Sequence, residues 1–307
     1  MNDKVKGVFF GVLAAVCYGL NPLGALYLYA EGLNVNTVIF FRYAIAVVGL
    51  AVMLLLKREP FGVDRRSLLF VSCLGALFAA SSLTLYGSFK FMEAGIASTL
   101  LFVYPVMVAV IMAVVFKEKV TWRTIVSILL ALAGIGLLYQ GKDGAALSTV
   151  GVILVMVSSL TYAVYIVIVN QAKLAMSAVK LTFYVLIFAL IFVGVYSLFG
   201  DESNRIVMLH GVTQWGYAAM LGVVPTLVSL VTMSIAIRLI GSTPTAIMGA
   251  LEPVTAVAIG IMVFNESLTL RLVIGISLIL IAVVIILLKD TRHKTQDTRR
   301  KTQDVRF

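Results

Sequence analysis

The chain has 307 residues, 61% of them hydrophobic and 12% charged, with a formal net charge of +10. Soluble domains run at roughly 45–50% apolar and about 25% charged, so this composition cannot cover a water-exposed surface, and lipid is its natural solvent. Two cysteines and two histidines exclude a disulfide framework and a metal-ligand cluster, and no sequence feature calls for a cofactor.

Met1 to Lys6 is short and mildly basic. The apolar run Gly7 to Ala30 is too long for a signal-peptide core and has no small-residue cleavage site, so it reads as a retained first span. Asn21-Pro22 predicts a break in its second half. Nine further spans follow: Val35 to Leu56, Leu68 to Phe89, Gly95 to Phe116, Ile125 to Tyr139, Leu147 to Val169, Ala178 to Phe199, Val212 to Ile237, Thr243 to Phe264 and Leu268 to Leu288. Most reach the roughly 17–25 residues that cross the hydrocarbon as a helix. None shows the two-residue alternation of a membrane barrel. Cys17 and Cys73 lie inside these runs and read as buried packing residues. The end of the chain, 290–307, reads as a basic, disordered cytoplasmic tail rather than a nucleic-acid-binding segment, because it follows directly on an apolar span.

Glu93 to Leu138 recurs 148 positions later, at Gly241 to Ile286, without a gap. Pro105 falls on Pro253, Val115-Phe116 on Val263-Phe264, Glu118 on Glu266, Thr121 on Thr269 and Arg123 on Arg271. The starts of the halves also correspond, with Gly7 and Tyr18 matching Gly151 and Tyr162 at an offset of 144. The expected fold is therefore all-α and polytopic, with ten transmembrane helices in two five-helix repeats, 1–144 and 145–289. An odd number of spans per half inverts the second half relative to the first. Basic residues set the orientation. Placing both termini in the cytoplasm puts 19 Lys and Arg residues inside and four outside (Lys90, Lys142, Arg205 and Arg271), with Arg42 within a span. Glu118, Asp143, Asp201 and Glu266 then mark the two faces: the first inside, the other three outside. Inverted repeats of this kind are a recurring plan of secondary transporters.

The motifs at these positions resemble the EamA-like transporters of the drug/metabolite transporter superfamily. The resemblance rests on Leu251-Glu252-Pro253-Val254 with Phe264-Asn265-Glu266, on Tyr104-Pro105-Val106 with Phe116-Lys117-Glu118, and on Phe41-Arg42-Tyr43. It implies a carrier of the bacterial inner membrane, often an exporter of amino acids or other small metabolites. Family members commonly have glycine where this chain has Lys117 and Asn265.

Polar residues within spans are costly and are the candidates for function. Glu252 sits deep in an apolar span, either as a proton-coupling or amine-binding carboxylate or as a cap on a proline-broken helix. Arg42 either binds a solute carboxylate, snorkels to the outer interface, or pairs with Glu252, Glu93 or Glu266. Tyr18, Asn21, Ser82, Tyr86, Tyr104, Tyr162, Tyr165 and Ser229 are candidates to line a cavity with aromatic and hydroxyl surfaces; helix packing is the alternative. Pro105 and Pro253 predict bends beside it. Glu118 and Glu266 read first as caps of the helices that follow them and second as gating groups. Tyr27, Tyr29 and Trp122 read as interfacial aromatics. The partners expected are a small-molecule solute, membrane lipid and, on the coupling reading of Glu252, protons; monomer and homodimer both stay open. A channel or sensory membrane protein is the competing function, and a membrane-embedded enzyme a weaker one, since no nucleotide-binding loop or catalytic cluster is visible.

Overall fold

A computed structural model describes residues 3–118, 120–139, 147–172, 176–199, 202–267 and 269–285. The junction at 144–145, Lys142, Asp143, Asp201 and the tail 290–307 lie outside the described residues.

The described residues are all-helical apart from turns. In chain order the helices are α1 (Asp3–Gly19), α2 (Asn21–Ala30), α3 (Val35–Leu56), α4 (Arg65–Ser88), α5 (Ala94–Leu101), α6 (Tyr104–Val115), α7 (Trp122–Tyr139), α8 (Thr149–Gln171), α9 (Ala178–Tyr196), α10 (Gly211–Gly222), α11 (Ser229–Ile240), α12 (Ser242–Met248), α13 (Leu251–Phe264) and α14 (Leu270–Ile285). Seven helical stretches are long and apolar enough to cross a membrane, and α7, α13 and α14 are shorter apolar helices. In lipid each backbone N–H and C=O must find an internal partner, which favours helices from these sequences. Side chains just before α3, α4, α8 and α9 cap their first turns. Asn34 accepts from the Thr37 N–H at 2.8 Å, Asp64 from Ser67 at 3.0 Å, Ser148 from Gly151 at 3.5 Å and Ser177 from Lys180 at 3.1 Å. The Ser67 side chain, and after it the Ser67 N–H, hold the exposed Asp64 carboxyl below its ordinary range.

Four apolar runs are interrupted. Leu20 separates α1 from α2 just before Asn21-Pro22, Phe102-Val103 separates α5 from α6 just before Pro105, and Gly249-Ala250 separates α12 from α13 just before Pro253. A π-helical stretch, Val223–Val228, joins α10 to α11 and contains Pro225. Nearby side chains take carbonyls at three of these breaks. Asn21 Nδ2 donates to the Tyr18 carbonyl at 2.8 Å, Ser159 Oγ to the Leu101 carbonyl at 2.7 Å, and Thr226 Oγ1 to the Leu221 carbonyl at 3.1 Å.

The most extensive helix pairs are α1 with α11, α4 with α8, α4 with α9, α3 with α9, and α5 with α13. Exchanging the two halves of the sequence turns α1·α11 into α8·α4 and α3·α10 into α9·α4, and leaves α3·α9 paired; all these contacts are present. Matching hydrogen bonds accompany them. Ser81 Oγ donates to the Ser158 carbonyl at 3.1 Å, and Ser229 Oγ donates to the Ala14 carbonyl at 2.9 Å. Gly134 on α7 faces Ile279 and the Gly275 carbonyl on α14, where only a glycine lets the backbones approach so closely.

Two packing expectations are corrected. Cys17 is buried, but Cys73 is exposed on α4. A span apolar on every side carries no polar stripe to tell its outer face from its inner one. Tyr29 is not an interfacial anchor, because its hydroxyl donates to the Tyr86 carbonyl at 3.0 Å, and Tyr27 stacks on Tyr217 with ring centroids 4.6 Å apart. Trp122 is exposed, as an interfacial aromatic would be.

Candidate functional site

The interrupted helices surround a cavity of about 230 Å³. All ten residues singled out as cavity candidates line it: Tyr18 and Asn21 at the first break, Arg42 on α3, Ser82 and Tyr86 on α4, Tyr104 at the start of α6, Tyr162 and Tyr165 on α8, Ser229 on α11 and Glu252 on α13. Pro253 also lines it; Pro105 is buried next to it in sequence without reaching the cavity, and Glu118 and Glu266 lie elsewhere.

One wall is a hydrogen-bonded chain around Arg42, which is only 3% exposed. Its Nη1 donates to the Tyr86 hydroxyl at 2.8 Å and its Nε to Thr226 Oγ1 at 3.2 Å. The Tyr86 hydroxyl donates onward to Asn21 Oδ1 at 3.0 Å. The guanidinium also lies 5.5 Å and 5.9 Å from the ring centres of Tyr86 and Tyr43, within cation–π range. The Tyr43 hydroxyl in turn bonds Ser82 Oγ. Among the described residues Arg42 has no carboxylate partner, so the expected pairing with Glu252, Glu93 or Glu266 is replaced by phenol, hydroxyl and aromatic faces.

The facing wall is aromatic. Tyr162 and Tyr165 lie parallel, 5.8 Å between centroids, and Tyr104 stands edge-on to Tyr162 at 4.8 Å. Phe78 closes the group at 5.6 Å from Tyr165. Glu252 enters from the first turn of α13, half-buried, and shares the cavity lining with Tyr18, Tyr104 and Tyr162. That carboxylate makes no hydrogen bond or ion pair among the described residues.

The two repeated turns hold the main departure from expectation. Glu266 does not cap the following helix; Thr269 does so, its Oγ1 accepting from the Leu272 N–H at 3.1 Å. Glu266 instead reaches into the other half, where its carboxylate accepts from the N–H groups of Ala94 at 2.8 Å and Gly95 at 3.3 Å, the first turn of α5. Glu93 occupies the N-cap position of α5 without a side-chain capping bond, so the cap is supplied from 172 residues away. Burial pushes the Glu266 carboxyl above its ordinary range, against the pull of those two N–H groups. Glu118, its counterpart, is exposed and makes no side-chain hydrogen bond or ion pair among the described residues.

Reading the sequence alone missed Thr226, Pro225 and Phe78. Pro225 in the middle of an apolar run was the available signal for the π-helical stretch that presents Thr226 to Arg42. Nothing marks Phe78, since phenylalanines are frequent on every span.

The described residues thus form an all-helical bundle with several helices long and apolar enough to cross a membrane and a polar and aromatic cavity among its broken helices. The sequence model of the EamA-like transporter family matches residues 5–140 and again residues 149–288. The chain belongs to that family, within the drug/metabolite transporter superfamily. An uncharacterized transporter from Archaeoglobus fulgidus is 33% identical over 193 residues, covering 63% of this chain and 67% of that protein. The uncharacterized transporter YcbK of Bacillus subtilis is 22% identical over 284 residues, covering 90% of both. A solved crystal structure superposes with a TM-score of 0.64 at 14% identity, covering 93% of this chain and 98% of that one, a likeness of fold alone.

Proposed function

We propose that the protein is a secondary transporter that exports a small metabolite, such as an amine or amino acid, across the bacterial inner membrane. On this reading ten spans form two inverted five-helix halves, both termini are cytoplasmic, and the halves exchange conformations around the cavity. The observation that carries the proposal is an asymmetry within a symmetric framework. The helix contacts and the Ser81 and Ser229 bonds come in matched pairs, and the family match occurs once in each half. The α5·α13 contact, however, has no comparably close counterpart between α6 and α12. Inverted-repeat transporters alternate in this way, closing one face with a contact that the other face lacks. Glu266 on the closed side would then face outward, and the conformation is inward-facing.

Cysteine labelling in intact cells tests the inversion. Residues at Glu118 should react only after permeabilisation and residues at Glu266 without it; a cytoplasmic Glu266 in intact protein sinks the inverted arrangement. Proteoliposomes test transport and coupling together. Saturable counterflow of a labelled metabolite is expected, whereas unsaturated conductance would favour a channel. Glu252 is the residue proposed to couple protons, because it is the carboxylate that meets the cavity. Glu252→Gln should keep counterflow at saturating solute and lose export driven by an imposed pH gradient. A mutant that responds to the gradient like the parent removes Glu252 from coupling, and one that fails to assemble supports a structural role.

A further inference from the structure

We propose that the cavity selects compact organic cations, specifically primary amines carrying one aromatic ring, over neutral, anionic and zwitterionic molecules of the same size. The inference rests on the transport reading of this cavity and narrows its solute class: of the amines and amino acids proposed above it keeps the amines and excludes the zwitterions.

The cavity meets two side chains that carry opposite charge, and the structure treats them differently. Arg42 is spent on the protein. It donates to Tyr86 and Thr226, lies against two aromatic faces, and is only 3% exposed. A solute carboxylate would have to displace these partners to reach it. Glu252 is the reverse case. It is half-buried, meets the cavity, and has no hydrogen-bond or ion-pair partner among the described residues. An ionised group in hydrocarbon is expensive unless paired; a ligand that brings a positive charge and N–H donors to this carboxylate completes the site, and a proton does so when no ligand is bound.

The surroundings of Glu252 suit the rest of such a ligand. Tyr162 and Tyr165 present parallel rings, Tyr104 an edge, and Phe78 an apolar end. Aromatic faces attract a cation through their quadrupoles and stack an aromatic body. Size sets the upper bound. About 230 Å³ is below the roughly 300–1,000 Å³ of pockets that hold drug-sized ligands, which points to one ring rather than several.

Binding to purified full-length protein in lipid nanodiscs tests this with four probes that share one ring: phenethylamine, its neutral analogue 2-phenylethanol, phenylacetate and phenylalanine. Phenethylamine should bind at least tenfold more tightly than any of the other three. Glu252→Gln should weaken phenethylamine at least tenfold and change 2-phenylethanol less than twofold. Equal binding of the amine and the alcohol overturns the proposal, as does an amine preference that survives in Glu252→Gln. Tighter binding of phenylalanine or phenylacetate overturns it too, because Arg42 then receives a carboxylate. If Glu252→Gln does not assemble, the four-probe ranking on the parent protein decides. Counterflow on the same preparation separates the two readings. Amine binding without counterflow of any solute sinks the transporter and keeps the site. Counterflow of another metabolite without an amine preference does the opposite.

Discussion

The turns at Lys117-Glu118 and Asn265-Glu266 have the same backbone and different partners. Lys117 and Asn265 are both left-handed, at φ 54° and 55°, and the N–H of each glutamate donates to a carbonyl six residues back, Glu118 to Met112 at 3.2 Å and Glu266 to Gly260 at 2.9 Å. Glycine adopts this left-handed conformation at no steric cost, and asparagine tolerates it better than lysine does. Beyond the backbone the two turns diverge. Glu266 is inserted at the first turn of α5 in the opposite half, whereas Glu118 is exposed. One local sequence thus supports two tertiary situations. What differs is whether an N-terminal helix turn of the other half is within reach, which, on the proposed alternating-access reading, is how a latch differs from its released form.

The largest effect is expected from Glu266→Ala. It strips a partner from two N–H groups at residues that are buried, and an unsatisfied buried donor costs about 1–3 kcal/mol. The α5·α13 contact should loosen, which a disulfide trap between the two helices would register as slower crosslinking. Counterflow should fall about tenfold or more, since 1.4 kcal/mol already changes a conformational equilibrium tenfold. Unchanged crosslinking would mean that the contact does not depend on the cap.

Close approach of the two helices gives the next test. A Cβ at Gly260 would fall on the Glu266 carboxylate, and one at Gly95 would lie 3.0 Å from Val257 Cα. Overpacking of this kind costs about 1–3 kcal/mol, so Gly95→Ala and Gly260→Ala should each lower the thermal midpoint by several degrees. Gly136→Ala is the control, because nothing lies within 4 Å of the added carbon. Glu118→Ala should shift the thermal midpoint still less than the glycine variants, as surface substitutions stay within about 0.5 kcal/mol. It should nevertheless slow turnover if Glu118 docks in the opposite conformation. Equal loss of stability in Glu118→Ala and Glu266→Ala would erase the comparison.

How much of this was legible in the sequence follows from what each signal measures. The long apolar helices were readable because lipid imposes a length and a composition. The proline and Asn-Pro positions foretold three of the four helix breaks, since the missing donor is local information. The cavity residues could be named because polar side chains are rare at that depth and stand out. Partners could not be read. A carboxylate partner was one of three readings of Arg42; in the structure its partners are Tyr86, Thr226 and two ring faces. Glu266 was expected to cap the helix beginning a few residues later and caps one 172 residues earlier. Short-range rules favour the near partner, and only the packing of α13 on α5 brings the far one into reach. Cys73 and Tyr29 were misplaced for a related reason: an all-apolar helix does not announce which side meets lipid.

The smallest expected effect is a pH slope. Burial raises the Glu266 carboxyl, so the latched protein binds a proton more readily than a chain in which that group is free in water. Stability falls with rising pH wherever the native state holds the extra proton. The contribution of Glu266 is therefore fully present below the ordinary carboxyl range and is lost as pH rises through the raised value. Glu266→Gln keeps a carbonyl to accept from Ala94 and Gly95 but cannot ionise. Thermal midpoints of parent and mutant, measured in the same nanodiscs across the acidic range, should lie closest at the lowest pH, and the parent should drop relative to the mutant as the pH increases. Parallel curves would indicate that the carboxyl titrates alike in the latched and unfolded protein. A parent that instead gains on the mutant with rising pH would mean that the N–H groups of α5 outweigh burial, which would make the ionised form the better latch.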